Sequence, residues 1–499
     1  MALNHLFYGD NLEVLRRDVD SETVDLIYLD PPFNSARDYN IIFARHDVAA
    51  DADAAQIQAF SDTWRWTPVT ETQYSGYTSG GLPLSVADAL TAFRTLLGEN
   101  DAMAYIVNMA PRLVELHRVL KPTGSLYLHC DPTMSHYLKV ILDAIFGANM
   151  CRNEIIWHYN TGGKGRQTFL RKHDTILWYS KSEDYQFNRD DVAVPRSANT
   201  AHLRHGVDED GRDFYEDFSP RKSGKKYRWY LDEGVTPMDV WTDIPAINPM
   251  AKERLGYPTQ KPIALLERIL KASSKPGDLV LDPFCGCGTT VDAAQTLGRQ
   301  WIGIDITYLA VDLIEKRLLA AHGDEIVGTY TVSGIPRDKA AALALFSRDP
   351  FEFERWAVTM LNAQPNSKQV GDKGIDGVAR FPLGDVKIRG LGQILISVKG
   401  GKTVNPSMVR DLGGTVMTRK ADLGVLVTNT PPTPGMIEEA NHAGTYTHPA
   451  TGTVYPRIQM ITTSELLLGK RLNLPGTINP YLQAKRVSTP GDQQHMFNL

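Results

Sequence analysis

The chain has 499 residues, with 53 Lys and Arg against 58 Asp and Glu for a formal charge of −5, and its composition is that of an ordinary soluble protein. That length predicts roughly two to four domains and a large core, and the slight acidity excludes a uniformly basic nucleic-acid binder while leaving local basic patches, and so a DNA substrate, open. Four cysteines without a secretory signal, and no apolar run near the ~20 residues that cross a bilayer, predict a cytoplasmic protein with reduced thiols.

Phe7-Tyr8-Gly9-Asp10-Asn11 precedes a short amphipathic helix carrying Leu12, Val14 and Leu15. The apolar run Val24 to Leu29 then reads as a buried strand that ends on Asp30-Pro31-Pro32-Phe33. Two prolines fix two φ angles and remove two donors. The Asp30 carboxylate and the carbonyls beside it are left to accept hydrogen bonds from a ligand, with an aromatic ring alongside. Such a corner suits a flat molecule that carries an amine. Residues 34 to 100, including Phe60 to Trp66 and a Gly/Ser/Thr/Tyr stretch at 71 to 81, lack strong periodicity and are expected to form loops over a site. A helix from Ala104 to Leu120, a strand from Ser125 to His129 and a helix from Ser135 to Phe146 follow.

Between about 153 and 249 the composition shifts. Trp157, Tyr159, Trp178, Tyr179, Tyr227, Trp229 and Tyr230 are interleaved with Lys164, Arg166, Arg221, Lys222, Lys225, Lys226 and Arg228. These seven basic residues are candidate DNA contacts, because a nucleic-acid surface needs cations for phosphates and planar groups for bases. Tyr257 to Pro262 leads into a helix over Ile263 to Lys271. Asp278 to Thr290, a helix to Leu297 and the strand Trp301 to Asp305 then form a strand, glycine loop, helix, strand unit. An acid at the end of the second strand marks a nucleoside-binding βαβ unit.

A dinucleotide loop wants a third glycine where Val291 stands, and the acid Asp282 at the strand end would repel a pyrophosphate. A cationic nucleoside suits it better. Phe284, Gly286, Gly288 and Thr289 therefore form a candidate loop for S-adenosylmethionine, with Asp305 placed for its ribose hydroxyls.

With both corners in hand, the sequence resembles an amino-group DNA methyltransferase of the permuted β group. In that group the Asp-Pro-Pro-Phe motif comes first, the target-recognition region second and the cofactor loop last. The resemblance covers about residues 1 to 330. It is strengthened by Gly124 to Pro132, Asn153 to Trp157 and Thr259 to Pro262, which are similar to segments of Type III modification subunits and their solitary relatives. It implies a Rossmann-like α/β methyltransferase sheet with an inserted recognition region at about 153–249, and S-adenosylmethionine as cofactor. It also implies duplex DNA as substrate, dimer formation and partners in a restriction or defence system. Asp10, Thr259 and Lys261 would line the cofactor pocket, with Asp10 toward the adenine ring of the cofactor. In the implied reaction Asp30 and the Pro31 carbonyl accept the hydrogens of an exocyclic amine, and Phe33 stacks on a base turned out of the duplex. Attack at cytosine carbon would need a Pro-Cys nucleophile, and the sequence has no Pro-Cys pair. Asp rather than Ser at the first motif position resembles the adenine enzymes, with the amine of cytosine as the alternative.

Residues 331–349 read as a linker. From 350 to 465 the pattern is similar to Mrr-type restriction endonucleases, a smaller α/β module. It has a helix with Glu352 and Glu354, then Gly371 to Gly377 with Asp376, then an apolar strand ending Ser397-Val398-Lys399. That resemblance implies magnesium at Asp376 and water activation by Lys399, with Glu354 as a helical acid. Ser397 stands where the family has a carboxylate or amide, which weakens the metal site. A bifunctional enzyme that also cleaves, a binding remnant and a non-catalytic scaffold are therefore the competing readings of this module. Residues 466 to 499 are expected to form a loosely ordered tail.

Overall fold

The computed structural model describes residues 4–32, 38–42, 56–61, 64–159, 169–195, 203–217, 228–248, 251, 253, 255, 259–366, 374–384 and 390–477. Its centre is a nine-stranded, mostly parallel sheet. In spatial order the strands are Val240–Trp241, Cys151–His158, His173–Ser180, Leu120–Cys130, Val24–Leu29, Leu279–Asp282, Gln300–Asp305, Asn4–Tyr8 and Tyr330–Ser333. Only His173–Ser180 runs antiparallel to its neighbours. The Val24–Leu29 strand shows why these residues choose a central position. Leu26 and Tyr28 pack into one apolar layer and Ile27 and Leu29 into the other, all nearly inaccessible, as a strand covered on both faces must. Helices Asn11–Asp18, Leu84–Leu97, Asp101–Val119 and Ser135–Phe146 supply one layer, and Ile263–Ser273, Thr289–Thr296 and Tyr308–His322 the other.

Three expectations change. Residues 68 to 97 are largely helical, not loop: Thr67 caps Pro68–Gly76, and Leu84–Leu97 buries Val86, Ala87, Leu90 and Phe93. These four positions lie on one helical face, so the periodicity was present but masked by the Gly- and Ser-rich turn before it. In the 153–249 region, Cys151–His158 and His173–Ser180 are strands of the main sheet, and Trp157, Trp178 and Tyr179 are core residues rather than base contacts. The remaining described part contains a separate antiparallel sheet of Leu203–Val207, Asp213–Asp217 and Arg228–Tyr230. Residues 331–349 are not a free linker, because Tyr330–Ser333 pairs with Asn4–Tyr8 and Lys339–Arg348 is a helix capped by Asp338.

The C-terminal module is a five-stranded sheet ordered Gln364–Pro365, Gly377–Pro382, Leu391–Lys399, Leu423–Thr428 and Ile458–Thr462, antiparallel at its start and parallel at its end. It is not a separate bead. Its helix Pro350–Met360 packs against Tyr308–His322, and Phe353 and Trp356 share one apolar cluster with Leu6, Tyr8 and Ile314. The connection crosses the end of the first strand so tightly that a Cβ on Gly334 (φ +89°) would lie 2.0 Å from the Tyr8 carbonyl oxygen. Part of the expected tail is also anchored, since Gln459 exchanges two hydrogen bonds with the backbone of Asn473. No helix among the described residues is long and apolar enough to cross a membrane.

Candidate functional site

Four adjacent parallel strands each end in, or run directly to, an aspartate at the same edge of the sheet. Asp30 follows Val24–Leu29, Asp282 ends Leu279–Asp282, Asp305 ends Gln300–Asp305, and Asp10 comes two residues after Asn4–Tyr8. Open α/β sheets bind ligands at this edge. Side-chain and backbone bonds tie the row together: Gly9 N donates to the Asp305 carbonyl at 2.9 Å, and Asn11 Nδ2 to the Pro283 carbonyl at 2.8 Å.

The outer two carboxylates have cationic partners. Arg112 reaches Asp10 Oδ2 at 2.5 Å and Asn11 Oδ1 at 2.7 Å, while Asp10 Oδ1 caps the following helix at Leu12 N. Lys261 Nζ lies 2.5 Å from Asp30 Oδ2. The inner two, Asp282 and Asp305, are in no ion pair among the described residues, and burial pushes their pKa values up to about 7 and about 6, opposed by hydrogen bonds from Thr290 and Phe284 N and from Thr307 and Gly286 N. Two buried carboxylates without a cationic partner among the described residues, set between two that have one, would favour a cation.

The glycine loop is bonded to both of these carboxylates. Gly288 is left-handed (φ +74°) at the start of Thr289–Thr296, and a Cβ there would sit 2.6 Å from Ile314 Cγ1. Gly286 N donates to Asp305 Oδ2 at 2.9 Å, and Phe284 N to Asp282 Oδ1 at 3.0 Å. Behind it Arg317, buried, bonds Asp292 Oδ2 at 2.8 Å, Thr289 Oγ1 at 3.1 Å and the Cys287 carbonyl at 3.3 Å. On the other side of Asp30 lies a buried chain of polar groups: Tyr28 is hydrogen-bonded to His129 Nδ1 at 2.9 Å, His129 Nε2 to Asp174 at 3.0 Å, and Tyr159 donates to Asp174 at 3.0 Å.

A family described as DNA methylase matches residues 24–316, more than half of the chain. The chain belongs to the DNA methylase family. A second family, described as restriction endonuclease, matches residues 345–466. The chain is 29% identical over 287 residues to Type II methyltransferase M.EcaI of Enterobacter cloacae, across 48% of this chain and 63% of that protein. It is 32% identical over 220 residues to Type II methyltransferase M.BglII of Bacillus subtilis, across 42% and 56%. It is 28% identical over 320 residues to DNA adenine methyltransferase YhdJ of Escherichia coli K12, across 64% and 83%. The chain thus spans only 56% to 63% of the length of the first two of these relatives.

The structure brings Asp30, Lys261, Asp282, Phe284, Gly286, Gly288, Thr289, Asp305 and Asp10 to one edge, with Thr259 placing its carbonyl 3.5 Å from Lys261 Nζ. Asp10 and Lys261 have partners within the chain: Asp10 caps the following helix and pairs with Arg112, and Lys261 pairs with Asp30. Phe33, Lys164, Arg166, Arg221, Lys222, Lys225 and Lys226 lie outside the described residues. Arg228, half exposed, pairs with Glu216 at 3.3 Å and covers the Phe214 ring. Sequence reasoning missed Arg112, Asp174 and Arg317 as supports of the edge. Only His129 carried a signal, in the segment Gly124 to Pro132.

In the C-terminal module Asp376 Oδ2 accepts from Val398 N at 2.6 Å, and Lys399 Nζ stands 3.8 Å away. Ser397 Oγ donates to the Gly374 carbonyl at 2.7 Å. Glu352, on the helix Pro350–Met360, turns to the methylase half, where Tyr8 donates to it at 3.4 Å, and it also bonds Arg355. No group of three or more His, Cys, Asp or Glu among the described residues is placed to hold a metal ion. Among the described residues, Asp376 is the carboxylate beside Lys399, and the Ser397 hydroxyl is committed to the Gly374 carbonyl.

Proposed function

We propose that the chain is a DNA adenine methyltransferase using S-adenosylmethionine, acting on duplex DNA. The observation that carries the reading is Asp30. Its Oδ2 is held by Lys261, and its Oδ1 is buried with no hydrogen-bond partner among the described residues. An orphaned buried acceptor costs on the order of 1–3 kcal/mol unless a ligand fills it, and an amine N–H is the group it fits.

Asp282 and Asp305 would hold the cationic cofactor, with Phe284, Gly286, Gly288 and Thr289 as the loop beneath it, and the cofactor supplies an activated methyl group. Asp30 Oδ1 and the Pro31 carbonyl accept the two amine hydrogens, which draws the nitrogen lone pair out of conjugation with the ring. The low-dielectric setting of this corner strengthens both bonds. Adenine is favoured by the Asp at the head of the motif and by the adenine-specific relative. The C-terminal module is read as a DNA- or partner-binding element, because Ser397, which stands where the resembled family has a carboxylate or amide, donates to the Gly374 carbonyl, with magnesium-dependent cleavage as the second reading. The test is transfer of labelled methyl from cofactor to unmethylated duplex DNA. Wild type transfers, and Asp30→Ala loses at least about 100-fold in rate while still binding cofactor. Equal transfer by both proteins would sink the reading.

A further inference from the structure

Lys261 follows a hydrogen-bonded glutamine. Gln260 bonds the backbone on both sides, with Nε2 donating to the Glu253 carbonyl at 2.6 Å and Oε1 accepting from Leu255 N at 2.8 Å. Glu253 Oε2 in turn accepts from Ile263 N at 3.1 Å, at the first turn of a helix that buries Leu265, Leu266, Ile269 and Leu270. The lysine side chain is nearly buried and ends on Asp30 Oδ2, while Oδ1 of the same carboxylate stays without a partner among the described residues.

We propose that Lys261 is a positioning residue for the acceptor carboxylate rather than a cofactor ligand. A carboxylate on a short side chain can rotate about its last torsion, and a charge-assisted bond to one oxygen stops that rotation and fixes where the other oxygen points. Lys261 holds Oδ2 and so presents Oδ1 to the amine. Its charge also offsets the cost of seating Asp30 beside Asp282 on the neighbouring strand. A second carboxylate lies within its field: Asp174 is burdened by burial, yet the bond and charge of His129 and the charge of Lys261 hold it below the usual carboxylate range. The charge of Lys261 is thus felt both at the acceptor corner and at Asp174. The Lys261 ammonium is engaged by Asp30 Oδ2, which is the reason to separate it from the cofactor-holding pair Asp282 and Asp305.

This inference rests on the methyl-transfer reading above. The test compares full-length wild type, Lys261→Met, Lys261→Arg, Asp30→Asn and the Lys261→Met/Asp30→Asn double variant, measuring S-adenosylmethionine affinity by calorimetry and single-turnover transfer to duplex DNA. Lys261→Met should keep cofactor affinity within threefold, which also reports folding, and lose transfer by about 30-fold, the worth of one charge-assisted hydrogen bond. Lys261→Arg should recover most of that loss, and Lys261→Met should cost little more in the Asp30→Asn background, since the lysine acts through that carboxylate. Weakened cofactor binding with full transfer at saturating cofactor overturns the proposal in favour of a cofactor-holding lysine. So do additive losses in the double variant, or wild-type transfer by Lys261→Met. A wild type that binds cofactor yet transfers no methyl overturns the functional reading itself.

Discussion

Asp282 and Asp305 are buried acids with raised pKa values of about 7 and about 6, and the sign of their effect on ligand binding follows directly. A cation is attracted to the ionised forms alone, so falling pH protonates the pair and removes its counter-charge. Cofactor affinity should therefore rise as pH increases through about 6 to 7 and level off above, with up to about tenfold per pH unit from each group below its pKa. Calorimetry between pH 5.5 and 8.5 checks this. Asp282→Asn should weaken binding and flatten the profile, and a wild-type affinity independent of pH would contradict a cation-holding role for the pair. These acids were legible in the sequence because each sits at the end of an apolar run that could only be a buried strand. The partners of Asp10 and Asp30 were not, since Arg112 and Lys261 meet them across 102 and 231 positions of chain. No local pattern encodes such a pairing.

The glycine loop, as an element, was read correctly from strand, turn, helix and terminal acid, because all its determinants lie within a short stretch of chain. Gly288 shows how little room it has. Gly288→Ala meets both a left-handed backbone and Ile314, and should cost about 2 kcal/mol or more in stability, read as a lower denaturation midpoint with weakened cofactor binding. Unchanged midpoint and affinity would show that the loop is looser than its geometry. The two main-sheet strands that escaped notice in the 153–249 region share one physical reason. Cys151–His158 and His173–Ser180 carry aromatics that a surface rich in base contacts also carries, and composition alone cannot tell a ring packed in a sheet from one facing DNA. Trp178, stacked against Tyr127 and donating to Ser125, is of the first kind.

For the whole molecule, the two matched families are joined through a single apolar cluster, with Tyr8 at the ligand edge bonded to Glu352 of the C-terminal module. That union could not be read from the sequence, where 331–349 has the look of a spacer. The endonuclease-like half keeps Asp376 and Lys399, with the Ser397 hydroxyl between them committed to the Gly374 carbonyl. Supercoiled unmethylated plasmid incubated with the protein and magnesium should stay intact, and Lys399→Ala should behave identically. Linearisation by wild type alone would instead give the chain two chemistries.

The most direct measurement of the central claim is nucleoside analysis of duplex DNA digested after incubation with S-adenosylmethionine and either wild type or Asp30→Ala. The Asp30 corner predicts N6-methyladenine from wild type and none above background from the variant. Methyl on cytosine carbon, or N6-methyladenine at equal yield from both proteins, would contradict it.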